Sequence, residues 1–123
     1  MTTTDRELLE RAAKAYWGDE VDDVMSFYWD ENEDAIVYTH ADNQDHNGND
    51  VELLWRPLEY NGDALSLAVK RRLTVAIRPH EVEVFCGASG ECLASVHTNG
   101  VTHEEATRRA IVRAAAAMAG ERE

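Results

Sequence analysis

At 123 residues, with 24 acidic against 12 basic side chains and a formal charge of -12, the chain has the length of one domain and a charge that repels free nucleic acid. No window has the apolar length that a bilayer span needs, and Met1-Thr-Thr-Thr-Asp5 leads into a charged helix rather than a basic and then apolar secretion signal. The expectation is one globular domain over 1–123 in the cytoplasm of a bacterial cell or of an infected host cell, without direct contact to nucleic acid or membrane.

The first helix opens at Thr4, where Thr4-x-x-Glu7 has the form of a capping box, and Leu8, Leu9, Ala12, Ala13 and Tyr16 recur at helical spacing up to Gly18. Glu7 with Arg11 and Glu10 with Lys14 add four-apart pairs on its outer face. Inside the acidic stretch from Asp19 to Asp34, Val24-Met-Ser-Phe-Tyr-Trp29 reads as a short strand or turn against the sheet. Ala35-Ile-Val-Tyr-Thr39 has the β-branched and aromatic composition of a strand. From Asp42 to Asp50 the run of Asn, Asp and Gly predicts a flexible polar loop.

Asn61-Gly62-Asp63 signals a second helix that reaches about Arg72, with Ala64, Leu65, Ala68 and Val69 as its core stripe. Next come three strands. Leu73, Val75 and Ile77 alternate on one, Val82, Val84 and Cys86 on the next, and Cys92 to Thr98 forms the third. Turns at Pro79-His80 and Gly87 to Gly90 make them an antiparallel meander. Thr102-x-x-Glu105 is a second capping box, opening a last helix whose Ala106, Ala110, Ile111, Ala114, Ala117 and Met118 face the sheet before Gly120 stops it. These elements predict an α/β (α+β) fold, three helices packed on both faces of a mainly antiparallel four- to five-stranded sheet in an α/β/α sandwich. The alanine-rich last helix, or a sheet edge, offers a surface for a homodimer.

Trp55-Arg-Pro57-Leu, Gly62-Asp63-Ala-Leu-Ser-Leu-Ala-Val69 and the closing Ala106-Thr-Arg-Arg-Ala-Ile-Val-Arg-Ala, taken together, resemble the small phage and prophage proteins of the phage ABA-sandwich domain family, from Trp55 to Met118. The resemblance implies helices on both faces of a central sheet and a phage or prophage origin. It brings no activity and no catalytic residues, because that family has none established.

Arginine carries the sharpest chemistry in so acidic a chain. Arg108, Arg109 and Arg113 lie on the last helix, and Lys70, Arg71 and Arg72 close the second. Arg56, Arg109 and Arg113, with Trp55 and Phe85 as aromatic platforms, are the candidates for binding phosphate or a small anionic nucleotide signal. Guanidinium forks grip such an anion bidentately while a ring stacks the base. The ordinary alternatives are arginines paired with carboxylates of the same chain and a Phe85 buried under a helix layer. A second candidate surface consists of Asp19, Glu20, Asp22, Asp23, Asp30, Glu31, Glu33 and Asp34, which either imitate DNA toward a basic host protein or only confer solubility.

His40, Asp42, Asp45 and His46 are competent ligands for a divalent metal, and Asn43-x-Asp45-x-Asn47-Gly48 has the start of a calcium loop. Leu54 stands where that loop needs a bidentate glutamate, so neither metal nor cofactor is assigned. Ser89 sits in Gly-Ala-Ser-Gly rather than a G-x-S-x-G elbow, and no phosphate-cradling loop is present, so no catalytic residue is assigned. Cys86 and Cys92 could face each other across a hairpin; in a reducing cytoplasm they read as small buried apolar residues rather than a disulfide. The expected function is that of a non-enzymatic accessory binding protein, acting in counter-defence by binding a host immune protein or sequestering a nucleotide signal. The alternatives are an acidic DNA-mimic inhibitor and a small metal-dependent enzyme using His40, His46 and nearby carboxylates.

Overall fold

Helix α1 (Asp5–Trp17) buries Leu8, Leu9, Ala12 and Ala13 on the side their spacing sets. The computed structural model describes residues 5–17, 24–44, 46–48 and 50–121, so Thr4 and Gly18, the expected limits of this helix, lie outside the described residues. On the outer face Arg6 pairs with Glu10 at 2.9 Å, one turn on.

Strands β1 (Val24–Asp30), β2 (Ala35–Gln44) and β3 (Asp50–Trp55) form an antiparallel sheet in chain order. Asp30 shapes the first turn, its carboxylate accepting from the backbone N–H of Asn32 at 2.9 Å and of Glu33 at 3.2 Å. The register sets Trp29, Ile36 and Trp55 in one row toward the core, and Tyr28, Val37 and Leu54 in a row on the opposite face. The expected polar loop at 42–50 is shorter than its composition implies. β2 continues to Gln44 and β3 begins at Asp50, these two being opposite each other beyond a register irregularity. Backbone groups pair whatever their side chains, so the hairpin ladder runs into residues that read as loop.

Helix α2 (Asn61–Lys70) buries Ala64, Leu67 and Ala68. Leu65 and Val69, expected in the core, are instead 63% and 68% exposed. Apolar residues at 64, 65, 67, 68 and 69 make two overlapping stripes, and packing against helix α3 (His103–Glu121) selects the one that contains Leu67. Strands β4 (Leu73–Ile77), β5 (Glu81–Cys86) and β6 (Cys92–His97) form the expected antiparallel meander. Gly87 donates its N–H to the Arg72 carbonyl at 3.0 Å, an approach so close that a Cβ at Gly87 would collide with that oxygen.

The α3 cap is as expected, with Thr102 Oγ1 accepting from the Glu105 N–H at 3.1 Å. Its Ala106, Ala110, Ile111 and Ala114 are buried, and so are Val112, Ala115 and Ala116, because α1 packs along a second side of the helix. Ala117 and Met118 are half-buried, and the helix passes Gly120 by one residue.

Among the described residues the fold is α+β with three helices, and its six strands divide into two three-stranded sheets instead of joining in one of four or five. Each trio pairs through short local turns, and α2 intervenes between β3 and β4. Helix α1 lies on the first sheet and α3 on the second; their mutual packing merges Leu9, Ile36, Trp55, Leu67, Val82, Val84 and Ile111 into one core. Among the described residues the helices occupy only the core-facing side of each sheet. No described helix is long and apolar enough to cross a membrane.

Candidate functional site

Three of the sequence candidates converge. Trp55, Arg56 and Arg109 line a cleft of about 240 Å³, with Arg6 and Trp29, between the start of α1, the β1–β2 turn and the segment after β3. Trp55 is only 2% exposed, and its ring stacks on Tyr16 with centroids 5.5 Å apart, so it serves the core rather than a ligand platform.

The guanidinium groups of the cleft face carboxylates of their own chain. Arg56 Nη2 donates to the Glu33 carbonyl at 3.0 Å and to its carboxylate at 3.3 Å, while Nη1 reaches Glu59 at 3.3 Å. Its backbone N–H binds the Asp63 carboxylate at 2.9 Å, which ties β3 to the first turn of α2. Arg109 grips Asp5 with two nitrogens, at 2.8 and 3.3 Å. That hydrogen bonding holds the Asp5 carboxyl below the usual aspartate range against the opposing effect of partial burial, and it raises the pKa of Arg109 in turn. Arg6 pairs with Glu10 at 2.9 Å and Glu31 at 3.4 Å, and lies 5.5 Å over the Trp29 ring. The cleft is therefore a charge-compensated mosaic, not a positive pocket.

Phe85 and Arg113 do not join it. Phe85 sits on β5 opposite Thr74 and Cys92, half-buried on the face turned away from Val82 and Val84. The helix layer expected to bury it is on the other side. Arg113 is exposed, one turn beyond Arg109, near enough to help lower the Asp5 pKa. Arg108, which the sequence reading grouped with the other arginines, clamps α3 to the segment before α2 by donating to the Leu58 carbonyl at 2.9 Å and to Asn61 at 2.7 Å.

Of the acidic candidates, Asp19, Glu20, Asp22 and Asp23 lie outside the described residues. Asp30 is half-buried in its turn, whereas Glu31, Glu33 and Asp34 are exposed, Glu31 with 82% of its side chain. Beside this acidic tip lies the outer face of the first sheet, where Tyr28 and Leu54 are exposed on either side of Val37. Tyr28 donates to Glu52 at 2.8 Å, a hydrogen bond that raises the phenol pKa. Sequence reasoning missed this apolar row because it did not recognise β3.

The side chains of His40, Asp42, Asn43 and Asp45 lie outside the described residues, and His46 and Asn47 are exposed. Among the described residues no three His, Cys, Asp or Glu side chains gather as a metal site. Ser89 belongs to the β5–β6 turn, its Oγ accepting from the Glu91 N–H at 3.3 Å. Hydrogen bonding from Ser89 also lowers the Cys86 thiol pKa. Cys86 is half-buried and Cys92 exposed, both free, so the expected burial of the pair does not hold: the strand register sets them opposite Leu73 and Phe85, not each other.

The chain matches no family model, no curated protein and no solved structure.

Proposed function

We propose that the chain is a non-enzymatic accessory binding protein, phage- or prophage-encoded as its ABA-sandwich-like motifs imply, which acts by occupying a host protein surface. The observation that carries this reading is the charge pattern around the cleft. Arg6, Arg56 and Arg109 hold carboxylates of their own chain, among them Glu31 and Glu33, which stay largely exposed in those pairs and stand with Asp34 on the β1–β2 turn that adjoins the strands of Tyr28 and Leu54. An incoming phosphate has to displace Asp5, Glu33 or Glu59 and then meet their negative charge. A basic protein groove meets accessible carboxylates that steer it in and an apolar row that it can cover. Among binding mechanisms this favours mimicry of nucleic acid toward a host immune protein over sequestration of a nucleotide signal.

The test is to express the chain in bacteria carrying defined immune systems and challenge them with phage. Rescue of phage growth against at least one system is expected, and the combined change Glu31→Gln, Glu33→Gln and Asp34→Asn should abolish it. No rescue across a broad panel removes the counter-defence reading. Calorimetry against cyclic and linear nucleotides should show no binding; stoichiometric binding of one of them would replace mimicry with sequestration.

A further inference from the structure

Val37 is only 2% exposed, although it lies on the face of the first sheet that no helix covers among the described residues. Its cover is Tyr28. Tyr28 and Leu54 are the register partners of Val37 on β1 and β3, and Glu52, two residues before Leu54, shares their face. The Tyr28 hydroxyl donates to Glu52 Oε2 at 2.8 Å, so a side chain rooted on β1 reaches a carboxylate on β3 and its ring has to cross the middle strand over Val37. One face of the ring then rests on the sheet and the other meets solvent, which accounts for the 46% exposure of Tyr28.

Glu52 differs from the carboxylates of the cleft. Glu31, Glu33 and Asp5 hold Arg6, Arg56 and Arg109, whereas the Glu52 carboxylate has the phenol as its one side-chain partner among the described residues. A neutral phenol leaves that charge uncompensated. Asp30 stands on the same face, opposite Ala35, near enough that its charge adds to the Glu52 hydrogen bond in raising the Tyr28 pKa. No described side chain on this face of β1, β2 or β3 is basic.

We infer that this platform takes an arginine side chain of the partner protein, its guanidinium stacked on the open face of the Tyr28 ring and hydrogen-bonded to Glu52, with Leu54 against the aliphatic stem. The inference rests on the reading that the chain occupies a host protein surface, and it names the side chain recognised there. Charge selects the occupant. A phosphate is repelled by Glu52 and Asp30, and a purely apolar partner would bury Glu52 without a cation. Arginine fits better than lysine, because a planar guanidinium lies flat on a ring and offers parallel donors to a carboxylate, whereas an ammonium is a strongly hydrated point charge. The chain makes both contacts within itself: Arg6 lies 5.5 Å over the Trp29 ring, and Arg109 grips Asp5 with two nitrogens.

Nuclear magnetic resonance of the full, isotopically labelled chain, titrated at neutral pH with a capped hexa-arginine peptide and separately with hexa-lysine, tests this. The amides of Tyr28, Val37, Glu52 and Leu54 are expected to shift, and hexa-arginine should bind about threefold or more tighter than hexa-lysine. Tyr28→Leu, which keeps an apolar cover on Val37, should remove that preference, while Tyr28→Phe, which keeps the ring, should retain it. Glu52→Gln should weaken hexa-arginine binding about threefold or more. Tyr28 and Glu52 are exposed, so circular dichroism should be unchanged in all three variants. Shifts confined to other acidic segments overturn the inference, as do equal affinities for the two peptides or Tyr28→Leu and Glu52→Gln variants that bind like the parent chain. The phage challenge fails separately. Arginine held at Tyr28 and Glu52 without rescue against any immune system removes the counter-defence reading and leaves this site standing, whereas rescue that survives Tyr28→Leu combined with Glu52→Gln removes the site and leaves that reading standing.

Discussion

Arg109 illustrates what a single residue reveals only in three dimensions. Its position on α3 suits an anion ligand, but its anion is Asp5, 104 residues away. Because the Asp5 pKa is depressed in the folded chain, its stabilising contribution is complete above the ordinary aspartate value of about 3.9 and is lost as pH falls through the lower folded value. Asp5→Asn should therefore flatten the acid side of the stability profile, measured by urea midpoints from neutral pH to below pH 4. At neutral pH it should cost no more than about 1 kcal/mol, since the pair is partly exposed to solvent. Gly87 and Gly62 give an opposed pair of expectations. Gly87→Ala drives a methyl into the Arg72 carbonyl and should cost about 1–3 kcal/mol, whereas Gly62→Ala, on α2 with open space around it, should gain up to about 1 kcal/mol. Chemical denaturation of the two variants distinguishes them directly.

At the scale of elements, α1, α3 and the β4–β6 meander are legible in sequence because one period dominates each: helical spacing from Leu8 to Tyr16, alternation from Val82 to Val84, and the Thr102 cap. α2 is legible as a helix but not in its rotation. Five apolar residues in a six-residue run fit two faces equally, and tertiary contact chooses between them. Leu67→Ala should consequently cost about 2–5 kcal/mol as it opens a cavity. Leu65→Ser should change the stability of the fold by about 0.5 kcal/mol at most, with both measured by thermal unfolding of dilute protein. A larger loss for Leu65→Ser would return that residue to the core. β3 escaped notice for a different reason: its start is hidden in the polar run that β2 and β3 pair across.

For the whole molecule, the decisive contact is α1 against α3, which makes one core from two sheet halves. All three tryptophans, Trp17, Trp29 and Trp55, belong to the α1 and β1–β3 half. Their fluorescence therefore follows that half, while far-ultraviolet circular dichroism follows both. One shared core predicts that the two signals change together in urea, in a single transition. Separated transitions would show that the halves fold independently.

Most of the secondary structure, the meander and the stripes of α1 and α3 follow from the chain alone, because period, capping and turn chemistry act over neighbours close in sequence. The candidate site was legible only as a set of residue types: Trp55, Arg56 and Arg109 do share a cleft, but their pairing with Tyr16, Glu33, Glu59 and Asp5 turns apparent ligand residues into core and ion pairs. The division into two sheets and the exposed face of α2 were likewise decided in the tertiary structure. Each depends on which of several adequate apolar surfaces meet, and that is set by long-range burial rather than by local pattern.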